Sequence, residues 1–191
     1  MSKLFLFMMV SVDGFFEGPN HDLSWHNVNP EFNDFAIAQT KTVGTLLFGH
    51  TTYDLMSGYW PTEGPRKNDP VVAELMNTLP KIVFSRTLTN LPAIPHWENA
   101  KLEKEVNKDE IIKLKQSSDK PLAIFGSNAL CVSLMRLGLV DEFRLMVAPV
   151  VIGKGTRLFE GLNEKYKLKL TSSRVFNSGN ILLTYVPQPP A

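Results

Sequence analysis

The chain has 191 residues, 43% of them hydrophobic and 20% charged, with a formal net charge of +1. That is the size and composition of one globular domain with a sizeable core. The charge balance lacks the basic excess of a nucleic-acid partner. The single Cys131 excludes an internal disulfide, no Cys/His spacing fits zinc, so no metal is expected, and no apolar run reaches membrane-spanning length. In chain order, Lys3 to Val10 (KLFLFMMV) has the apolar character of a signal-peptide core. It is short, carries one Lys and runs into Ser11-Val12-Asp13-Gly14 without a small-residue cleavage site. A buried first strand is expected instead, in a cytoplasmic protein.

Further along, Thr45 to Phe48 (TLLF), Lys81 to Phe84 (KIVF) and Leu122 to Phe125 (LAIF) are short apolar runs bounded by Gly or polar residues. Strands of a parallel sheet, covered by helices on both faces, have this pattern. Helices are expected between them. Asp69 caps one with Pro70 at its first position and an apolar face of Val72, Leu75, Met76 and Leu79. Asn107 and Glu110 form a variant capping box ahead of Ile111, Ile112 and Leu114. Ser127 caps a helix with Leu130, Leu134, Met135 and Leu137 on one face, stopped at Gly138. The Pro-rich and polar stretches Pro61 to Asp69 and Leu91 to Asn99 read as surface loops within the domain. After Gly138 the pattern alternates, through Phe143, Leu145 and Val147 and then Tyr166, Leu168 and Leu170. Asn177-Ser178-Gly179 is a good hairpin turn before the last run, Asn180 to Val186. The expected fold is α/β, a mostly parallel mixed sheet ending in an antiparallel hairpin, in one domain over 1–187 with a frayed tail at 188–191.

Three strand-to-helix junctions share a character: Phe48-Gly49-His50-Thr51-Thr52-Tyr53, Phe84-Ser85-Arg86-Thr87 and Phe125-Gly126-Ser127-Asn128-Ala129. In an open parallel sheet such junctions gather at the carboxyl edge, where ligands bind. A helix start there offers free N–H groups and a positive dipole end to phosphate. Taken singly, Gly-Ser before a helix is an ordinary cap and Arg86 an ordinary solvated residue. Together they describe a two-ended anionic ligand such as a dinucleotide. The G-x-G-x-x-G fingerprint is absent, which disfavours a standard Rossmann site.

The pieces VSVDGFFEG (Val10 to Gly18), LLFGHTTYD (Leu46 to Asp54), FSRT (Phe84 to Thr87), AIFGSNAL (Ala123 to Leu130) and GLVDEFRLMVAPVVIGKGTRLFEG (Gly138 to Gly161) run in one order over nearly the whole chain. In them the chain resembles the dihydrofolate-reductase-like family, which includes the reductase domain of bifunctional riboflavin-biosynthesis proteins and its stand-alone relatives. The resemblance implies a three-layer fold around a central mixed sheet, NADPH at the sheet edge and a homodimer. It implies that Gly49-His50-Thr51-Thr52 and Gly126-Ser127-Asn128-Ala129 hold the pyrophosphate and that Ser85 and Arg86 hold the adenosine 2′-phosphate, a task that suits the planar donors of Arg. His50 stands where family members often have Arg. Because histidine is mostly neutral near pH 7, NADH is kept as an alternative cofactor and Arg86 must carry most of the discrimination.

The same resemblance places Ser11 to Gly18 beside the nicotinamide, with Gly14 and Gly18 among the cofactor contacts. Glu17, Trp25, Tyr53, Gly153 and Lys154 are assigned to the substrate side. Asp13-Gly14 is equally a simple turn, Trp25 equally a loop anchor, and Gly153 to Gly155 equally a strand-to-loop bend. Asp13 and Glu31 are the candidate proton donors. Pro30 occupies the place expected for the acid of a dihydrofolate reductase, and helix-start acids such as Glu31 and Asp34 are also favourable caps. Cys131 reads as an inert core thiol. The deaminase pattern H-x-E with P-C-x-x-C is missing, so at most the reductase half of a riboflavin protein is expected. The leading expectation is an NADPH-dependent reductase of a small heterocyclic or carbonyl substrate, of the pterin, pyrimidine or riboflavin-precursor type. The alternative is a non-catalytic module that senses or binds a nucleotide.

Overall fold

The computed structural model describes residues 1–188. In chain order the elements are β1 (Leu4–Ser11), β2 (Phe15–Glu17), α1 (Pro30–Lys41), β3 (Thr45–Gly49), α2 (His50–Ser57), α3 (Glu63–Asn68), α4 (Pro70–Thr78), β4 (Lys81–Phe84) and β5 (Ala100–Glu103). Then come α5 (Lys108–Ser117), β6 (Leu122–Ile124), α6 (Asn128–Arg136), β7 (Glu142–Ala148), β8 (Thr156–Arg157), β9 (Leu168–Val175) and β10 (Ile181–Pro187).

Eight strands form one sheet in the order β5-β4-β3-β6-β1-β7-β10-β9. The pairings from β5 through to β7 are all parallel, and β10 is antiparallel to both β7 and β9. The expected mixed sheet with its closing hairpin is therefore present. A separate antiparallel pair, β2 with β8, lies apart from it.

The continuous apolar run of β1 follows from burial on both faces. Successive side chains alternate sides. Leu4, Leu6, Met8 and Val10 meet Ile111 of α5 and Leu130 and Leu134 of α6. Phe5 joins Tyr53 of α2 and Val72 and Met76 of α4. Met9 packs beneath Phe32 and Phe35 of α1. Helices thus cover the sheet on both sides, in three layers.

Two local readings of the sequence need correction. Pro61 to Asp69 is not a plain loop: Glu63–Asn68 is helical and Pro65 is buried. The stretch Leu91 to Asn99 carries Trp97 into the core, 2% exposed. Its ring stacks on Phe48 at 6.1 Å, and its N–H donates to Asn77 Oδ1 at 2.7 Å. At the end of the described residues, the Gln188 N–H donates to the Lys167 carbonyl at 2.9 Å. The rest of the expected tail, 189–191, lies outside the described residues.

Candidate functional site

Strands β4, β3 and β6 are neighbours and run parallel. Their carboxyl ends therefore sit side by side, with strand spacings of about 4.8 Å. The three junctions open onto one groove of about 770 Å³, lined by Gly49 to Thr51, by Ser85 to Thr87 and by Ser127 to Ala129.

The helices that start at this groove are unlike two of the others. At α1 and α5, an Asn side chain accepts from first-turn N–H groups. At α2 and α6, the capping residues Gly49 and Ser127 supply no side-chain acceptor. Ser127 stands at the expected cap position without making a cap bond. The first-turn donors of both helices face the groove without a side-chain partner, and the helix dipoles add positive potential there.

Gly49 and Gly126 serve the approach of the first and third junctions to each other. A Cβ on Gly49 would lie 2.2 Å from Ser127 Oγ. One on Gly126 would lie 2.5 Å from Thr52 Oγ1, and Gly126 has φ of +122°, a region that L side chains rarely adopt. The Gly49 N–H donates to the Gly126 carbonyl at 3.1 Å. Thr52 is thus a packing partner of Gly126, buried behind the groove wall.

At the second junction Ser85 is buried and its hydroxyl accepts from the Leu88 N–H at 3.1 Å, which shapes the turn. Arg86 is exposed on the groove. His50 also lines it and pairs with Asp54 at 2.9 Å. Two cations missed in the sequence line the same groove. Lys104 follows the edge strand β5, and its ammonium donates to the Leu88 carbonyl; Arg136 ends α6, and its guanidinium donates to the Gly161 carbonyl. Arg136 was within reach of helical spacing, since Ala129, Val132, Ser133 and Arg136 share one helix face. Lys104 carries no such signal.

The substrate-side candidates lie farther along the carboxyl edge, around β1 and β7. The Asp13 carboxylate accepts from the N–H groups of Ile152 and Gly153, at 3.2 and 2.8 Å. The Ser11 hydroxyl and these N–H groups hold its pKa below the ordinary aspartate value. Gly153 and Lys154 are exposed in the turn that Asp13 anchors. Gly14 carries φ of +84° in the turn ahead of β2, and the Gly18 N–H donates to the Asp22 carbonyl at 2.8 Å. Glu17 is buried, accepting from Thr156 at 2.7 Å and contacting His21 at 2.8 Å. Glu31 accepts from the Asn177 N–H at 2.8 Å and from Arg174 at 2.9 Å. The Asn177 bond first, then the Arg174 guanidinium, hold its carboxyl below the usual range. Neither proposed acid has the raised pKa that proton donation at neutral pH calls for; both act as hydrogen-bond acceptors.

Trp25 donates its N–H to the Asp22 carbonyl at 3.1 Å and packs against the cluster around Met9, which fits the loop-anchor reading. Tyr53 departs from expectation. It is 0% exposed and packs on Trp97 at 5.4 Å between ring centroids, so its ring is part of the core. Burial pushes the Cys131 thiol up, in keeping with an inert core residue.

An eight-stranded mixed sheet between helical layers, with three junctions gathered on one edge groove, places the chain in the dihydrofolate-reductase-like α/β class. Within that class the chain belongs to the RibD C-terminal domain family, which matches residues 2–182. It is 32% identical over 185 residues to the uncharacterized protein YyaP of Bacillus subtilis (strain 168), a match covering 96% of this chain and 94% of YyaP. In fold it is similar to a putative riboflavin biosynthesis protein from Shewanella sp. PV-4, with a TM-score of 0.76, 22% identity and coverage of 97% and 99% of the two chains. It is also similar to dihydrofolate reductase from Enterococcus faecalis, solved with NADP(H) and RAB-propyl, with a TM-score of 0.64, 17% identity and coverage of 97% and 96%. No helix among the described residues is long and apolar enough to cross a membrane.

Proposed function

We propose that the chain is an NADPH-dependent reductase of a small heterocyclic or carbonyl substrate. The observation that carries this reading is the single groove shared by two side-chain-uncapped helix starts and the exposed Arg86. That donor set fits a dinucleotide phosphate. The first turns of α2 and α6, at Gly49 to Thr51 and Ser127 to Ala129, hold the pyrophosphate. Arg86 bonds the 2′-phosphate through its planar donors, and Ser85 holds the turn that presents it. Gly14 and Gly18 sit with the segment beside the nicotinamide. When bound, the reduced cofactor supplies a hydride; the protein orients it and excludes water. Family membership and the likeness to an NADP(H)-bound dihydrofolate reductase support the cofactor class.

A second reading, a nucleotide-binding module without turnover, is favoured by one observation. Asp13, Glu17 and Glu31 are all engaged as acceptors. A titration of the purified protein with NADPH and NADH, followed by fluorescence, tests the shared claim. Binding that favours NADPH supports both readings, and failure to bind either removes both. Steady NADPH consumption with any acceptor then separates the enzyme from the module. A cytoplasmic homodimer belongs to the same proposal. The exposed Leu170, Val175 and Ile181 on the terminal hairpin support the pairing, and sedimentation of the purified protein checks it.

A further inference from the structure

His50 is the first residue of α2, directly after the Gly49 cap, and its half-buried side chain lines the groove. Asp54, one turn along the same helix, is exposed and is not among the groove-lining residues. Its carboxylate lies 2.9 Å from His50 Nε2. The imidazole thus links a carboxylate outside the groove to the groove wall, beside the first-turn N–H groups proposed to hold the pyrophosphate.

A neutral imidazole has one N–H donor and one bare acceptor nitrogen. A carboxylate only accepts, so the bond to Asp54 places the proton of the neutral ring on Nε2. Nδ1 is then a bare lone pair. Phosphate oxygens are acceptors too, and a lone pair turned toward them repels. Acceptors at both nitrogens are satisfied only by the imidazolium, which carries a proton on each. An anion at contact distance favours the charged ring through space as well.

The other charged side chains that line the groove are Arg86 after β4, Lys104 and Glu105 after β5, Arg136 on α6 and Glu160. Residues of these types ordinarily keep their charge between about pH 6 and about pH 8.5, whereas histidine changes charge there. His21, His26 and His96 do not line the groove. The nucleotide brings one titrating group of its own, the 2′-phosphate, since a phosphate monoester loses its second proton near about pH 6. NADPH has that group and NADH lacks it.

We propose that His50 is a proton-linked phosphate ligand. Asp54 holds Nε2, the pyrophosphate takes Nδ1, and nucleotide binding draws a proton from water onto the ring. The inference rests on the reading of the groove as a dinucleotide site, and adds to it a ligand residue and a pH dependence. With His in this turn, the chain gains on acidification the cation that an Arg supplies at every pH.

The test titrates the full chain with NADH, followed by fluorescence, at steps from about pH 6 to about pH 8.5. The dissociation constant rises about fivefold across that range, the scale of one opposite charge brought against the ring. His50→Arg keeps the tighter, acid-side affinity throughout, and His50→Gln the weaker, alkaline-side affinity. Asp54→Asn moves the rise to lower pH, because the imidazolium loses its carboxylate. Calorimetry near neutral pH, in two buffers of different ionisation enthalpy, shows net proton uptake on binding by wild type and none by either His50 variant. An NADH affinity that is level over the range, one that falls equally in His50→Gln, or binding without proton uptake overturns the inference and leaves the nucleotide site standing. If neither NADH nor NADPH binds at any pH, the reductase reading falls and this inference with it.

Discussion

Replacing Trp97 tests whether the polar stretch before β5 is part of the core. Trp97 is 2% exposed. It stacks on Phe48, leans on Tyr53 and lies 4.5 Å beneath the Lys81 ammonium. Truncating such a ring costs about 3–5 kcal/mol through lost transfer energy and a residual cavity. Its N–H is also bonded to the buried Asn77 Oδ1 at 2.7 Å, and an orphaned buried acceptor costs about 1–3 kcal/mol. The two effects share a site and do not simply add, so Trp97→Ala is expected to lose about 4 kcal/mol or more. Trp97→Phe keeps most of the apolar contact and loses the hydrogen bond, for about 1–3 kcal/mol. Urea unfolding measures both, read as midpoints at constant slope. Because Phe48 directly precedes Gly49, the Ala variant should also bind NADPH more weakly. A change below about 0.5 kcal/mol, the scale of an ordinary surface substitution, would refute the reasoning.

Gly49→Ala places a Cβ 2.2 Å from Ser127 Oγ and is expected to cost about 1–3 kcal/mol by overpacking. Adding Ser127→Ala should restore part of that, and an additive double-mutant cycle would contradict the close approach. The Asp13 pKa is lowered in the folded state, so its contribution is present above the ordinary aspartate range and is lost as pH falls through the folded value. Protection of the Gly153 amide, taken relative to the intrinsic exchange rate at each pH, should therefore fall on acidification, and in Asp13→Asn at neutral pH; unchanged protection in both would rule out the anchor. Burial pushes Lys81 down to about 8 from an ordinary 10.5. In that window the unfolded chain binds more protons, so wild type should gain stability relative to Lys81→Met as pH rises through it. Urea midpoints at the two ends of the window check the sign, and a falling difference would oppose it.

The strands with the strongest apolar contrast were legible in the sequence because burial on both faces leaves continuous runs, as in KLFLFMMV and TLLF. The hairpin was legible because Asn177-Ser178-Gly179 has turn chemistry. β5, whose residues are Ala-Lys-Leu-Glu, was not. An edge strand with partly exposed side chains has neither an apolar run nor a turn signal. Nor was β8, only two residues long and paired with β2 through a distant contact. Trp97 was hidden by its Pro-rich surroundings, since only tertiary contacts with Phe48 and Asn77 decide that a loop turns inward. For the candidate site, chain order was enough to group the three junctions, because parallel strands bring their carboxyl ends to one edge. It did not reveal what each side chain is bonded to. Asp13, Glu17 and Glu31 each pair with residues more than a hundred positions away, and Tyr53 turns into the core two residues beyond Thr51, the last groove-lining residue of that helix start.

The most direct measurement is the pair of dissociation constants for NADPH and NADH, in wild type and in Arg86→Ala. If the exposed Arg86 reads the 2′-phosphate, wild type prefers NADPH, and the variant loses about 1–3 kcal/mol of NADPH binding while NADH binding is unchanged. Equal weakening of both nucleotides, or equal affinity for both in wild type, would contradict the assignment of the groove.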